Sequence, residues 1–249
     1  MLKKILKKYT NSITGIIQVG AHIGQEVDLF LNYSKSNIYL FEPNTDAYQH
    51  LLKYVENKNV HTYNFALGNK NERRNLYLSD NKNGVSSSVL KPKLHLEYFP
   101  EYKFSKKQEI DIKRFNDLDN IIGNFLILDV QGFELEVLKG FDEKIKDIDF
   151  IFSEISFVEF YEENVSISEL DRFLANKNFI RAYTSIVSNI PMGDALYIKK
   201  TLNKKWINIF YLLKSNLVKT KIFRFLNIFK DLKKLSFHLK NKIKRTVIK

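Results

Sequence analysis

Residues 16–24, reading Ile-Ile-Gln-Val-Gly-Ala-His-Ile-Gly, constrain the fold more than any other stretch of the chain. A short apolar run that ends in two nearby glycines reads as a buried strand feeding a tight turn, with a helix following from about Gln25 to Tyr33. Residues 40–43, Leu-Phe-Glu-Pro, read as a second strand ending on a carboxylate, and Pro43 keeps Glu42 extended and stops the strand. Glu42 lies eighteen residues beyond Gly24, close to the roughly 20 that separate a glycine turn from the acid that grips a ribose hydroxyl. A nucleoside cofactor is therefore expected. The glycines argue against a dinucleotide. With Gly20 as the first glycine of G-x-G-x-x-G, the second falls on His22, and the step from Gly20 to Gly24 is one residue too long for the second half. S-adenosylmethionine needs a tight turn and a ribose acid but no phosphate cradle, so it fits the pattern.

The rest of the chain continues the alternation. Asn44 or Thr45 can cap a helix that runs to about Glu56, with Tyr48, Leu51, Leu52 and Val55 on its apolar side. Residues 60–66 read as a third strand, closed by Leu67-Gly68-Asn69. Residues 76–78 suggest a short strand, residues 81–88 a loop rich in Asn, Ser and Gly, and residues 91–108 a long irregular connection. Residues 109–113 alternate weakly. Residues 124–130 are the clearest buried strand, a continuous apolar run ending at Asp129. A helix follows with Phe133, Val137, Leu138 and Phe141 inward. Residues 149–155 form a strand carrying Glu154, Ser166 or Ser168 caps a helix to Asn176, and residues 179–184 and 195–198 close the sheet. Strands alternating with helices predict an α/β fold, a mostly parallel sheet with helices on both faces.

Charge divides the chain. Of 249 residues, 40 are Lys or Arg and 28 Asp or Glu, a net charge of +12. Residues 201–249 alone hold fourteen basic side chains and one acid, Asp231. The body, residues 1–200, is thus nearly neutral, and residues 201–249 form a basic tail. Ile222, Phe225, Phe229, Leu232, Leu235, Leu239 and Ile243 recur at steps of three and four, which puts them on one side of a helix bordered by lysines. The tail reads first as an interfacial helix drawn to an anionic membrane surface. Packing on a partner is a second reading and nucleic-acid binding a third, the latter disfavoured because the aromatics share the leucine side. The chain has no cysteine, so thiolate chemistry and disulfides are excluded. Histidines 22, 50, 61, 95 and 238 show no metal-ligand spacing, and no metal is expected. Residues 1–9 are basic without the apolar run of a signal peptide, and the expected location is the cytoplasm, peripheral on the inner membrane face.

Residues 126–140, Leu-Ile-Leu-Asp-Val-Gln-Gly-Phe-Glu-Leu-Glu-Val-Leu-Lys-Gly, resemble the FkbM-type methyltransferases, in which an apolar strand leads into D-V-x-G-x-E, an apolar pair and K-G. Val19 to Gly24, Phe41-Glu42-Pro43, Phe65 to Gly68, Ser86 to Ser88 and Glu154 follow in the family's order, over roughly residues 16–200. Two places depart from the pattern. Gln18 stands where the family usually has an acid, and the T-L-D-x-L element survives loosely as residues 114–118. The resemblance implies a class I methyltransferase fold, Rossmann-like, that uses S-adenosylmethionine to methylate a hydroxyl on a sugar, glycan or secondary metabolite.

The strand ends assign the roles. Glu42 is expected on the ribose hydroxyls, with Gly20, Ala21, His22 and Gly24 in the turn against the methionine moiety. Phe65 and Ala66 wall the adenine or, for Phe65, pack in the core. Asp129 either orients the cofactor or acts as general base. Ser87, Glu134 and Glu154 are expected to contact the acceptor. Two other readings remain at this stage: a non-catalytic methyltransferase-like binding module, and an RNA methyltransferase gripping its substrate with the tail.

Overall fold

A computed structural model describes residues 1–33, 37–81 and 84–202. The tail reading therefore lies outside the described residues from 203 onward. The chain opens with helix α1 (Leu2–Tyr9), which the sequence reading had not assigned; Ile5 and Leu6 are its buried residues. Then come β1 (Ile16–Val19), α2 (Val27–Tyr33), β2 (Ile38–Phe41), α3 (Thr45–Tyr54) and β3 (His61–Tyr63). A second group follows: β4 (Ala66–Leu67), β5 (Glu72–Leu78), α4 (His95–Tyr98) and β6 (Lys106–Lys113). The last elements are β7 (Phe125–Leu128), α5 (Glu134–Phe141), β8 (Phe150–Ser156), α6 (Ile167–Asn176), β9 (Phe179–Ile186) and β10 (Met192–Lys199).

The main sheet has seven strands in the order β3-β2-β1-β7-β8-β10-β9. Pairs β3–β2, β2–β1, β1–β7 and β7–β8 are parallel, and β10 runs antiparallel to both its neighbours. All four residues of β1, β2 and β7 are buried, as strands covered on both faces require. Period-two alternation sorts them between two cores. Ile17, Val19, Leu126 and Leu128 join one apolar cluster, and Ile16, Phe125 and Ile127 join the other. The chain walks outward from β1 through β2 to β3, then crosses back to β7 on β1's other side. The carboxyl ends of β1 and β7 therefore flank the point where strand order reverses, the expected place for a ligand crevice.

Local chemistry explains the helix starts. The Asn44 side chain caps α3 by accepting the N–H groups of Asp46 and Ala47 at 3.0 and 3.3 Å, the Asn alternative of the two read from sequence. Ser166 and Glu169 form a reciprocal capping box at α6. On α3, Leu51 and Val55 are buried but Leu52 is 38% exposed, so the apolar side is narrower than expected.

One expectation is corrected. Residues 60–66 are not one strand. The ladder of the main sheet ends at Tyr63, and Ala66–Leu67 cross to a separate three-stranded sheet, β4-β6-β5. Asn64 makes the break: its side-chain amide donates to the Glu42 carbonyl at 2.9 Å. That turns the chain at the crevice and leaves Ala66 lining it.

Candidate active site

Gly20, at the end of β1, has φ +83°, and a Cβ there would stand 1.8 Å from the backbone oxygen of Asp129. Only glycine allows both the left-handed backbone and this approach of the β1 and β7 ends. Its N–H and that of Ala21 both bond the Phe41 carbonyl, at 2.9 and 3.0 Å, which sews the turn onto β2. Glu42 emerges beside it and is 6% exposed. Its two carboxylate oxygens accept the backbone N–H groups of His22 at 2.8 Å and Asn44 at 2.7 Å. Each oxygen keeps a further lone pair, so the acid is fixed yet still able to accept from a ligand. Burial is the main cause that pushes its pKa to about 7, against the two backbone bonds.

A first cavity opens over these strand ends. Gln18, Gly20, His22, Glu26, Glu42, Ala66 and Asp129 line it, together with residues 84–89, Gln131 and Phe133. Gln18 is 3% exposed, and its Nε2 donates to the Glu26 carboxylate at 3.3 Å. Its Oε1 is buried without a hydrogen-bond partner. An orphaned acceptor beside a carboxylate calls for a ligand that brings donors, such as an ammonium group. Glu26, eight residues on, thus brings a carboxylate to Gln18 at this cavity, which sequence reasoning missed. These residues fit S-adenosylmethionine: Glu42 for its ribose diol, Gln18 and Glu26 for its amino-acid amine.

Ala21 and Gly24 do not line this cavity; they build its turn. Ala21 is fully buried, and Gly24 (φ +86°) donates to its carbonyl at 2.9 Å. Phe65 does not line it either, a correction to the adenine-wall reading. Its ring packs against Phe41 and Tyr63, with the Lys113 ammonium 4.3 Å from its centroid. Ser87 faces the first cavity, not a separate acceptor site. Its hydroxyl donates to the Gly84 carbonyl at 2.6 Å and accepts the Ser79 N–H at 3.1 Å, so it is spent on folding its own loop.

A second cavity of about 280 Å³ adjoins the first and shares Val85, Ser86, Asp129 and Gln131 with it. Glu134 and Glu154 line it. Glu134 is 3% exposed and accepts the N–H groups of Val130 and Gly132 at 3.3 and 3.1 Å. It therefore holds the loop after β7 as well as facing the cavity, and burial pushes its pKa to about 7. Between the carboxylates sits Gln131, with φ +54°. Its amide donates to Asp129 at 2.7 Å and to Glu154 at 3.0 Å. The Tyr161 hydroxyl lies 2.9 Å from both the Gln131 Oε1 and the Ser86 carbonyl, so its one proton is shared between them. The pKa of Asp129 is raised by burial first, opposed by the Gln131 bond, with Glu26 and Asp194 adding like charge. That of Glu154 is raised well above the usual range by burial and by the Asp129 and Glu134 charges. Sequence reasoning missed Gln131 and Tyr161. Gln131 had a signal, a non-glycine just before Gly132 in a strand-to-helix turn; Tyr161 had none.

A family model described as the methyltransferase FkbM domain matches residues 18–181. The chain is 26% identical over 161 residues to the 2-O-methyltransferase NoeI of Sinorhizobium fredii, covering 59% of this chain and 65% of that protein. The structure is similar to that of methyltransferase FkbM from Methylobacillus flagellatus, with a TM-score of 0.51 and 14% identity over 74% of this chain and 43% of the other. The chain thus spans less than two thirds of the length of either relative. Seven strands with one reversed, a glycine turn beside a buried strand-end acid, and a model match over most of the chain agree: this protein belongs to the FkbM family of S-adenosylmethionine-dependent methyltransferase domains.

Proposed function

We propose that the chain transfers a methyl group from S-adenosylmethionine to a hydroxyl oxygen of a sugar, glycan or related metabolite. The observation that carries this reading is that Asp129 and Gln131 line both cavities, so a cofactor on one side and an acceptor on the other would meet at Asp129. The relative's name, a 2-O-methyltransferase, supports oxygen as the methyl acceptor. Bound S-adenosylmethionine supplies a methyl already activated on a sulfonium. The chain's task is to bring the hydroxyl oxygen in line, at about 3–3.5 Å, and to take its proton. Glu42, Gln18 and Glu26 would hold the cofactor that supplies this methyl, and the Asp129 carboxylate would take the hydroxyl proton. Burial raises its pKa above the ordinary carboxylate range, which makes it a stronger base than an exposed aspartate. Gln131 keeps the Asp129 carboxylate aimed. Release of S-adenosylhomocysteine on addition of hydroxylated acceptors tests the reading; a chain that binds the cofactor but turns over with none of them contradicts it.

We read residues 1–200 as the methyltransferase domain and residues 201–249 as a separate tail. Among the described residues, no helix is long and apolar enough to cross a membrane. The lysine-bordered apolar stripe supports a surface role on anionic lipid, which would place the acceptor among lipid-linked glycans of surface polysaccharide synthesis. Co-sedimentation with anionic vesicles tests it: deletion of residues 201–249 should release the chain, and an unchanged bound fraction contradicts it.

A further inference from the structure

The second cavity combines aromatic rings with carboxyls. His95, at the start of α4, lies with its ring 4.9 Å from Phe99, 5.7 Å from Tyr102 and 5.4 Å from Tyr161. It is 3% exposed, it lines the cavity, and its Nδ1 has no hydrogen-bond partner. Asp129, Glu134 and Glu154 face the same space, and no Lys or Arg among the described residues lines it.

A buried ring nitrogen left without a partner costs about 1–3 kcal/mol, and natural structures rarely leave one so. A hydroxyl satisfies it in either tautomer, because a hydroxyl both donates and accepts. The carboxyls, ionised or protonated, pair with the remaining hydroxyls of a polyol. The aromatic rings cover the carbon–hydrogen face of a saturated ring, as apolar linings do in small-molecule sites. A volume of about 280 Å³ lies near the lower end of the roughly 300–1,000 Å³ of such sites, which suits one ring rather than an extended chain. An anionic substituent would find no Lys or Arg among the described lining residues, and a buried charge without a counter-charge is costly. His95 cannot supply that counter-charge near neutrality, since burial lowers its pKa to about 4.

We infer that this cavity is the acceptor subsite, that it takes one ring of an uncharged polyhydroxylated sugar with His95 Nδ1 paired to a ring hydroxyl, and that it excludes sugars carrying carboxylate, sulfate or phosphate. The inference rests on the O-methyltransferase reading above and narrows its substrate class.

Saturation-transfer NMR on the full chain with S-adenosylhomocysteine present tests it. The probes are neutral methyl pyranosides (hexosides, 6-deoxyhexosides and pentosides) and the matching methyl uronides. At least one neutral pyranoside should show ring-proton transfer, with its uronide about tenfold weaker or worse. His95→Phe keeps an aromatic ring and removes the nitrogen, so it should lose the pyranoside signal while S-adenosylhomocysteine affinity by calorimetry stays unchanged. A uronide binding as tightly as its neutral partner overturns the inference. So does the absence of binding by every neutral pyranoside, or an unchanged signal in a folded His95→Phe chain. Should that variant fail to fold, the neutral-against-uronide contrast in the unsubstituted chain still decides. Failure here with cofactor binding intact removes the acceptor assignment alone; a chain that does not bind S-adenosylhomocysteine removes the underlying reading.

Discussion

The carboxylate of Glu42 accepts the backbone N–H of His22 at 2.8 Å, so the acid that ends β2 is locked to the glycine turn that ends β1. Twenty residues apart in sequence, the two become one rigid unit. Its second oxygen is held by Asn44, and neither bond uses all the lone pairs available. An acid fixed in this way would lose little entropy on accepting hydrogen bonds from a ligand.

The same turn sets the first prediction. Gly20→Ala would press a Cβ to 1.8 Å from the Asp129 carbonyl oxygen at φ +83°. Both the left-handed strain and the backbone clash oppose it. Thermal or denaturant unfolding should show a loss of about 3 kcal/mol or more, and cofactor affinity should fall with it. A fully stable Gly20→Ala chain would mean that the β1 and β7 ends are farther apart than described.

Stability should fall as pH rises through neutrality. Glu42 and Glu134 have pKa values pushed to about 7 by burial, against about 4.3 in an unfolded chain. Near neutral pH the folded chain therefore holds protons that the unfolded chain has released. Their stabilising effect is complete below the unfolded pKa and is lost as pH climbs through about 7. Asp129 and Glu154 are raised in the same sense. His95, lowered to about 4, acts oppositely, but its effect is spent by about pH 6.5. Asp28, Glu159 and Glu169 are lowered at exposed sites and count for little. From pH 6.5 to 8 the ligand-free chain should lose roughly 1 kcal/mol for each of Glu42 and Glu134, read as a falling Tm at constant ionic strength. Glu134→Gln keeps an acceptor for Val130 and Gly132 and should flatten the slope; a Tm that rises over this interval contradicts the account.

Asp129→Asn should separate binding from chemistry. The amide keeps the size of the side chain but cannot accept the proton, so kcat should drop about 100-fold or more. Affinity for S-adenosylhomocysteine, measured by calorimetry, should change little. Equal losses in both would make Asp129 a cofactor-holding group only.

The strand ends were legible in the sequence because they obey local rules. Gly20, Glu42 and Asp129 sit where an apolar run meets a breaker or an acid, and the structure brings all three to one cavity. Residues 60–66 misled because Phe65 and Ala66 prolong an alternating pattern; the side-chain amide of Asn64, bonded across to Glu42, ends the strand, and no periodicity encodes that. Glu26 was hidden since its partner Gln18 lies on another element. His95 and Tyr161 were hidden more deeply. His95 opens the four-residue helix α4 and Tyr161 lies in an irregular segment, and the two meet only through tertiary packing, so neither spacing nor amphipathicity marks them.

Calorimetric titration of S-adenosylmethionine into the unsubstituted chain and into Glu42→Ala tests the central claim most directly. The account predicts binding by the first and at least about tenfold weaker binding by the second, a difference of roughly 1.4 kcal/mol or more. Equal affinity in a folded Glu42→Ala chain would contradict it.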